Sequence, residues 1–284
     1  VINAAYKAKN NIPTIAIVKG NAIGLNGMLA ASCDFVFMSD DCTISAQAPL
    51  AISPAVNESS KKFAGKDILA SKSLIPSFTF SSGDSLRLTI SELFEYVDES
   101  FVGNNDDQNR VCEEFNDKIY AEKLSLELAD DYSRLELYAG FAPEVKTVLT
   151  AINSIPAGLV ITSGGKLNAN SLKKITKFIK LLNAYNLPVI SLVDCEGLEA
   201  TLIEEQAGFI LEANALLEAV NSTDSVKIAV ITGKAIGYAY TALASKASGF
   251  DYVLAVANAV ISPVTEDAAV SIFFSEDISA KDIL

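Results

Sequence analysis

The chain has 284 residues, half of them apolar, with a mean hydropathy of +0.31, so one large domain or two of ordinary size can bury adequate cores. A formal net charge of −13 argues against nucleic acid, whose phosphates need a basic surface, and makes any anionic substrate depend on a local cationic patch. Histidine is absent, which removes Ser-His-Asp and Cys-His nucleophilic systems and most zinc catalysis.

What remains for chemistry is backbone amides, carboxylates, hydroxyls or an imported cofactor; no metal is expected. Cys33, Cys42, Cys112 and Cys195 lack any C-x-x-C spacing, which suits a reducing, cytoplasmic setting better than a disulfide framework. Asp, Lys or Pro interrupts every apolar run before it reaches the length of a membrane span. The chain starts at Val1 without an initiating Met and without a signal peptide, and reads as a piece of a longer protein.

In chain order, a short helix leads to an apolar strand, Thr14–Val18, and then to a turn rich in Gly and Asn, Lys19 to Gly27. Met28–Ser32 read as helix and Asp34–Met38 as the next strand, the pattern of parallel β-α-β construction. Residues 53–85 give no clear periodicity. Leu86–Tyr96 look helical, Phe101–Gln108 form the most polar break, and a charged helix from Asn109 to Ala129 reads as a solvated connector. The predicted division is therefore residues 1–100, a linker with helix at 101–130, and residues 131–284.

Three closely spaced strands follow, Leu135–Tyr138, Lys146–Ile152 and Gly158–Thr162, with turns at Gly140–Pro143 and Asn153–Ala157. In the helix Ala169–Tyr185, Leu172, Ile175, Ile179 and Leu182 form a buried stripe. Lys173, Lys174, Lys177 and Lys180 are assigned to the opposite, solvated face, or to a nucleotide's phosphate tail. A buried strand, Pro188–Val193, runs into Asp194-Cys195-Glu196-Gly197. A long helix is predicted at Leu202–Val220, then a strand at Lys227–Thr232, a turn at Gly237, a helix from Tyr238, and strands near Asp251–Ala255 and Ala259–Ser262.

Part of this order is written twice. Ala16-Ile17-Val18-Lys19-Gly20-Asn21-Ala22-Ile23-Gly24 returns 213 residues later as Ala229-Val230-Ile231-Thr232-Gly233-Lys234-Ala235-Ile236-Gly237. The match resumes at Asp34-Phe35-Val36-Phe37 against Asp251-Tyr252-Val253-Leu254, with the offset grown to 217. One structural unit has been used twice.

A glycine turn between a strand and a helix N-terminus presents unpaired N–H groups, and the helix dipole favours an oxyanion there. The sequence supplies this at Gly24 and Gly237, with a third turn at Gly197. Two such turns on adjacent strands can aim N–H groups at one carbonyl oxygen; equally, the glycines can serve only as tight turns. Neither has dinucleotide or P-loop spacing. Glu204 and Glu205 are candidate general bases or helix-dipole partners. Tyr238 and Tyr240, beside the second turn, are read as packing on a ligand or in the core.

Several of these segments resemble one family. Leu135-Glu136-Leu137-Tyr138-Ala139-Gly140-Phe141-Ala142-Pro143 is similar to the start of the C-terminal domain of the carboxyltransferase subunits of biotin-dependent acyl-CoA carboxylases and decarboxylases. Asn186 to Asp194 resembles that family's strand before an Asp-x-Pro-Gly-Phe turn, and Lys234-Ala235-Ile236-Gly237-Tyr238-Ala239-Tyr240 its Lys-Ala-Tyr-Gly-Gly-Ala-Tyr segment. Residues 12–49 resemble the second half of the family's N-terminal domain. The resemblance implies an α/β fold, a tandem crotonase-like ββα superhelix whose first copy is incomplete. It implies carboxylate transfer between carboxybiotin on a separate carrier protein and an acyl-CoA, in a homo-oligomer; the decarboxylases add an association with a membrane complex. Carried over by position, the oxyanion hole is the N–H groups of Gly197 and Ala239 beside Gly237. Gly24, Leu25, Asn26 and Tyr238 would contact substrate. The sequence departs from the family at Tyr238 and Leu25, which replace the second glycine of the pair, and at Glu196 and Leu198, which flank Gly197. These departures motivate the alternative of a catalytically degenerate scaffold subunit.

Overall fold

In the computed structural model, which describes residues 2–9, 12–48, 51, 59–98, 106, 107, 109, 120–131, 133–199 and 201–272, the first unit opens with α1 (Ile2–Ala8). The strands β1 (Ile15–Val18) and β2 (Asn21–Ile23) follow, then α2 (Leu25–Ser32), β3 (Phe35–Ser39) and β4 (Thr43–Ser45). The stretch without clear periodicity holds two short helices, α3 (Ser60–Ala64) and α4 (Lys66–Lys72), and the strand β5 (Phe78–Phe80). α5 (Gly83–Val97) is started by a reciprocal Ser82–Ser85 capping box. β1, β3 and β5 form one parallel sheet and β2 and β4 another.

The predicted linker 101–108 and most of the helix 109–129 lie largely outside the described residues. What is described of that helix, α6 (Ala121–Leu128), is not a solvated connector. Ala121 and Leu124 are buried with Val148, Leu159, Ile161 and Leu192, so α6 covers one face of the second sheet. Charge alternation reported its outer side only.

That sheet starts as an antiparallel meander, β6 (Arg134–Leu137), β7 (Val145–Ile152) and β8 (Ile155–Thr162). The predicted turn at 153–157 shrinks to Asn153 and Ser154, both with positive φ. Asp130 holds both, its two carboxylate oxygens accepting their N–H groups at 2.8 and 2.7 Å. The sheet continues in parallel through β9 (Val189–Cys195) and β10 (Lys227–Ile236). β10 pairs with β11 (Tyr252–Ala255) along its first half and with β12 (Val260–Ser262) along its second. Between them run α7 (Ala169–Ala184), α8 (Leu202–Gln206), α9 (Phe209–Asn221) and α10 (Tyr238–Leu243). The predicted single helix 202–220 is broken, because Gly208 takes the left-handed conformation and starts α9 afresh.

The lysine face of α7 also needs correction. Lys174 is fully buried, and its Nζ donates to the carbonyls of Phe141 (2.8 Å) and Ala142 (3.4 Å). Phe178 and Leu181 are buried beside it and widen the apolar arc beyond the predicted stripe. Lys177 is partly buried, donates to the Leu74 carbonyl and lies 4.6 Å from the centre of the Tyr138 ring. Lys173 and Lys180 are exposed as expected.

The duplication holds at the level of register. Ile15 lies opposite Phe35 and Ile228 opposite Tyr252; Val18 lies opposite Met38 and Ile231 opposite Ala255. After the turn, Ile23 pairs with Ser45 and Ile236 with Ser262. One strand of each pair follows the offset of 213 and the other that of 217. The repeated Asp has a structural reason. The Asp34 carboxylate accepts the N–H of Thr14 (3.0 Å) and its hydroxyl, and the Asp251 carboxylate accepts the N–H of Lys227 (2.8 Å), pinning the entry of each strand pair.

The copies differ on the other edge. β10 has β9 beside it, whereas β1 has no partner on its outer edge among the described residues. Both units nevertheless share a core: Phe35 stacks on Tyr185 at 6.0 Å between centroids, and Phe37 and Phe78 join the cluster containing Leu137, Leu182 and Val193.

Glu92 on α5 gives a measurable consequence. Burial, helped by Glu95, raises its carboxyl to about 7, so between the ordinary carboxylate range and pH 7 the folded chain holds a proton that the unfolded chain releases. Stability from this group is therefore lost as pH rises through that window. Glu92→Gln is expected to be more stable than the parent at pH 8, by on the order of 1–2 kcal/mol after allowance for solvent screening, and equally stable at pH 4. Thermal unfolding followed by circular dichroism at the two pH values checks it.

Candidate active site

The repeated glycines carry a rare backbone conformation, φ 58° and ψ −127° at Gly24, φ 53° and ψ −115° at Gly237. A side chain at either position strains the backbone, which is why both copies keep glycine. Gly24 N–H donates to the Ser45 carbonyl at 2.9 Å and Gly237 N–H to the Ser262 carbonyl at 2.8 Å. Each glycine carbonyl then accepts the first helical bond, from Met28 (2.9 Å) and from Thr241 (3.1 Å). The intervening N–H groups, Ala239 among them, have no acceptor within their helix.

The Gly197 turn abuts the Gly237 strand. Gly197 has φ +100°, and a Cβ there would lie 3.2 Å from the Ile236 carbonyl. The turn is strapped to the loop at Gly164 and Gly165: Gly164 N–H donates to Asp194, Glu196 N–H to Gly165, and Leu167 N–H to Gly197. Between the turns, β10 carries an irregularity after Ile231. There Asp194 Oδ1 accepts the Lys234 N–H at 2.8 Å. Gly233 makes room for that carboxylate, since a Cβ would come within 2.4 Å of it. At Gly20, its counterpart, a Cβ would meet nothing within 4 Å, because no strand lies beside β1 there among the described residues.

The structure thus brings Gly197, Gly237, Tyr238 and Ala239 together, and holds Gly24, Leu25 and Asn26 at the equivalent turn of the first unit. Gly197 and Ala239 are both buried, and the Gly197 N–H is directed to Cys195 Sγ at 3.4 Å, a weak acceptor. Burial raises the Cys195 thiol to about 11, which keeps it protonated at neutral pH. Tyr238 turns inward; its hydroxyl donates to the Ala213 carbonyl at 2.6 Å, and its ring packs on the core rather than across the turn. Tyr240 packs on the same core. The corresponding side chain in the first unit, Leu25, is 67% exposed. A cavity of about 480 Å³ runs along β1 and is lined also by Asn26 and Leu29, though not by Leu25.

The flanking groups fall into place around these turns. Lys234 Nζ donates to Glu196 Oε1 at 2.7 Å, linking the loop before Gly197 to the strand before Gly237, and Lys234 holds the Glu196 carboxyl below the usual range. Glu204 accepts the Ala169 N–H at 3.2 Å and so serves the start of α7 rather than its own helix. Sequence reasoning missed the Asp194–Gly233 fit and the Cys195 contact. The Asp-Cys-Glu-Gly string was visible, but the partner of its carboxylate lies forty positions further along.

Known proteins match this architecture over the whole chain. The methylmalonyl-CoA carboxyltransferase 12S subunit of Propionibacterium freudenreichii subsp. shermanii is 24% identical over 98% of this chain and 57% of its own length. The propionyl-CoA carboxylase beta chain of Cereibacter sphaeroides is 25% identical over 97% of this chain and 58% of its own. A solved structure of transcarboxylase 12S, a hexamer assembly with methylmalonyl-coenzyme A and methylmalonic acid bound, superposes with a TM-score of 0.86 at 22% identity, over 98% of this chain and 57% of that one. It shares the expected crotonase-like fold. The chain spans rather more than half the length of these relatives. Residues 1–283 match the carboxyl transferase domain family, and the chain belongs to that family.

Proposed function

We propose that the protein transfers carboxylate between carboxybiotin and an acyl-CoA, as a biotin-dependent acyl-CoA carboxyltransferase. The observation that carries this reading is the pair of glycine turns with matching backbone and matching register, set on two units of a carboxyl transferase chain. Such turns suit an enolate or ureido oxyanion, both stabilised by backbone N–H donors, and need neither histidine nor metal. Ala239 and Gly197 are the candidate donors at the second turn; Leu25 and Asn26 are the candidate thioester contacts at the first. Because both donors are buried, a bound ligand must displace the Cys195 contact and open the turn. The CoA thioester is the substrate, biotin arrives on a carrier protein, and the active form is a homo-oligomer with cytoplasmic location. The two units correspond to residues 1–100 and 131–284.

The test is direct. The protein is incubated with propionyl-CoA and carboxybiotin, and the carboxylated thioester is followed by mass spectrometry. Product formation supports the reading, and failure of both transfer and CoA binding would sink it. The second reading, a scaffold subunit without catalysis, draws on the Glu196–Lys234 bridge and the closed Gly197 turn. It fails if Tyr238→Gly or Glu196→Pro leaves a measurable parent transfer rate unchanged.

A further inference from the structure

The ion pair between Lys234 and Glu196 marks a place for a carboxylate beside the second glycine turn. Glu196 immediately precedes Gly197, and its carboxylate meets Lys234 Nζ at 2.7 Å. Lys166 adds a second positive charge near the same carboxylate. Asp194 and Glu266 also face Lys234, but Asp194 Oδ1 accepts the main-chain N–H and Glu266 acts at longer range. In the first unit the residue at this place is Asn21, whose amide oxygen accepts the Thr43 hydroxyl at 2.7 Å. The two turns therefore share a backbone conformation and differ in this charge.

The pair sits where exchange is possible. Both side chains reach solvent, and that of Lys234 is half exposed. The other ties of the loop are main-chain hydrogen bonds, from Glu196 N–H to Gly165 (2.7 Å), from Leu167 N–H to Gly197 (2.8 Å) and from Glu199 N–H to Leu167 (2.9 Å). They fix the backbone on either side of Gly197 and leave the Glu196 side chain able to turn away. A solvent-exposed ion pair contributes little to stability. A ligand carboxylate that replaces Glu196 on Lys234 restores the same charge-assisted hydrogen bond.

Carboxyl transfer supplies such a ligand. In N-carboxybiotin and in a malonyl-type thioester alike, a single atom separates the carboxylate from the carbonyl carbon whose oxygen becomes the oxyanion. A ligand with its oxyanion on the Gly197 and Ala239 N–H groups therefore carries its carboxylate close beside them, in the neighbourhood of Glu196 and Lys234. We infer that Lys234 binds the carboxylate in transit, and that Glu196 fills its place when no such carboxylate is bound. This role rests on the carboxyl-transfer reading and deepens it, because Lys234 then tells a carboxylated ligand from the same ligand without its carboxylate.

Isothermal titration of the full chain with methylmalonyl-CoA and propionyl-CoA, which differ only in the carboxylate, tests the role. Glu196→Gln removes the competing carboxylate and is expected to tighten methylmalonyl-CoA by about threefold or more, with propionyl-CoA binding and the unfolding temperature unchanged. Glu196→Gln/Lys234→Met, which has neither charge and so leaves no unpaired carboxylate, is expected to bind the two thioesters alike. A preference for methylmalonyl-CoA that survives in the double variant overturns the inference. If all three proteins bind the thioesters alike, the transfer assay decides. A KM for carboxybiotin that rises about threefold or more from Glu196→Gln to the double variant, at constant KM for propionyl-CoA, assigns the carboxylate to biotin. An unchanged KM overturns the inference while leaving carboxyl transfer standing. Binding of neither thioester by the parent overturns both.

Discussion

Replacing Gly237 by valine is expected to lower carboxyl transfer by at least about a hundredfold and to destabilise the second unit. Valine must adopt φ near 53°, where a β-branched residue is strained by roughly 1–3 kcal/mol, and its Cβ would come within 2.9 Å of the Pro263 carbonyl. That carbonyl belongs to backbone just beyond β12 and cannot rotate away as a side chain can. The start of α10 then shifts, and with it the Ala239 N–H, the donor proposed above; one misplaced oxyanion donor costs on the order of 3 kcal/mol of transition-state stabilisation. Gly24→Val separates strain from clash, because the nearest atom to a Cβ there is the Ala46 carbonyl at 4.0 Å. Its effect on stability is expected to be the smaller of the two. Transfer rates, together with thermal unfolding of both variants, check the pair. Equal destabilisation would mean that the Pro263 contact is immaterial.

The second large effect concerns one position in two copies. Gly233→Ala places a methyl within 2.4 Å of Asp194 Oδ1, so the carboxylate must leave the Lys234 N–H and the irregularity in β10 must reshape. Overpacking of this kind costs about 1–3 kcal/mol, and the lost hydrogen bond to a charged acceptor adds to it. Because the main-chain carbonyl of the same Asp194 accepts the Gly164 N–H, a shift of its backbone would carry to the Gly197 turn, and activity is expected to fall along with stability. Gly20→Ala, the same change at the related position, is expected to leave stability within about 0.5 kcal/mol or to raise it slightly. Denaturant unfolding of the two variants decides the matter. Equal loss in both would show that the glycine is needed for backbone conformation rather than for room.

The contrast between Gly20 and Gly233 also marks how far the sequence could be read. Strand and turn residues of the duplicated unit were legible because each register pair is local to a β-α-β segment. The Gly24 and Gly237 turns were legible because a glycine that separates an apolar strand from a short helix marks the point where the chain must reverse. Lys174 was misread because a stripe drawn through Leu172, Ile175, Ile179 and Leu182 omits Phe178 and Leu181, which widen the buried arc until it takes in the lysine. The break at Gly208 carried a signal in its glycine, but an apolar run on both sides outweighed it. α6 was misread because its charges face outward, while the apolar side that closes the sheet is set by strands much later in the chain. Tyr238 stayed open between ligand and core because its acceptor, the Ala213 carbonyl, is on a helix twenty-five positions earlier.

The outer edge of β1 has a consequence for pairing with other segments. Along Ile15–Val18 it offers a row of peptide groups without a neighbouring strand among the described residues, and Ile17 is about half exposed. Such a row is a template for any other extended segment, including the same row on another molecule. A segment laid there in parallel would give β1 the neighbour that β9 gives β10. Ile17→Lys would weaken such pairing without touching either glycine turn.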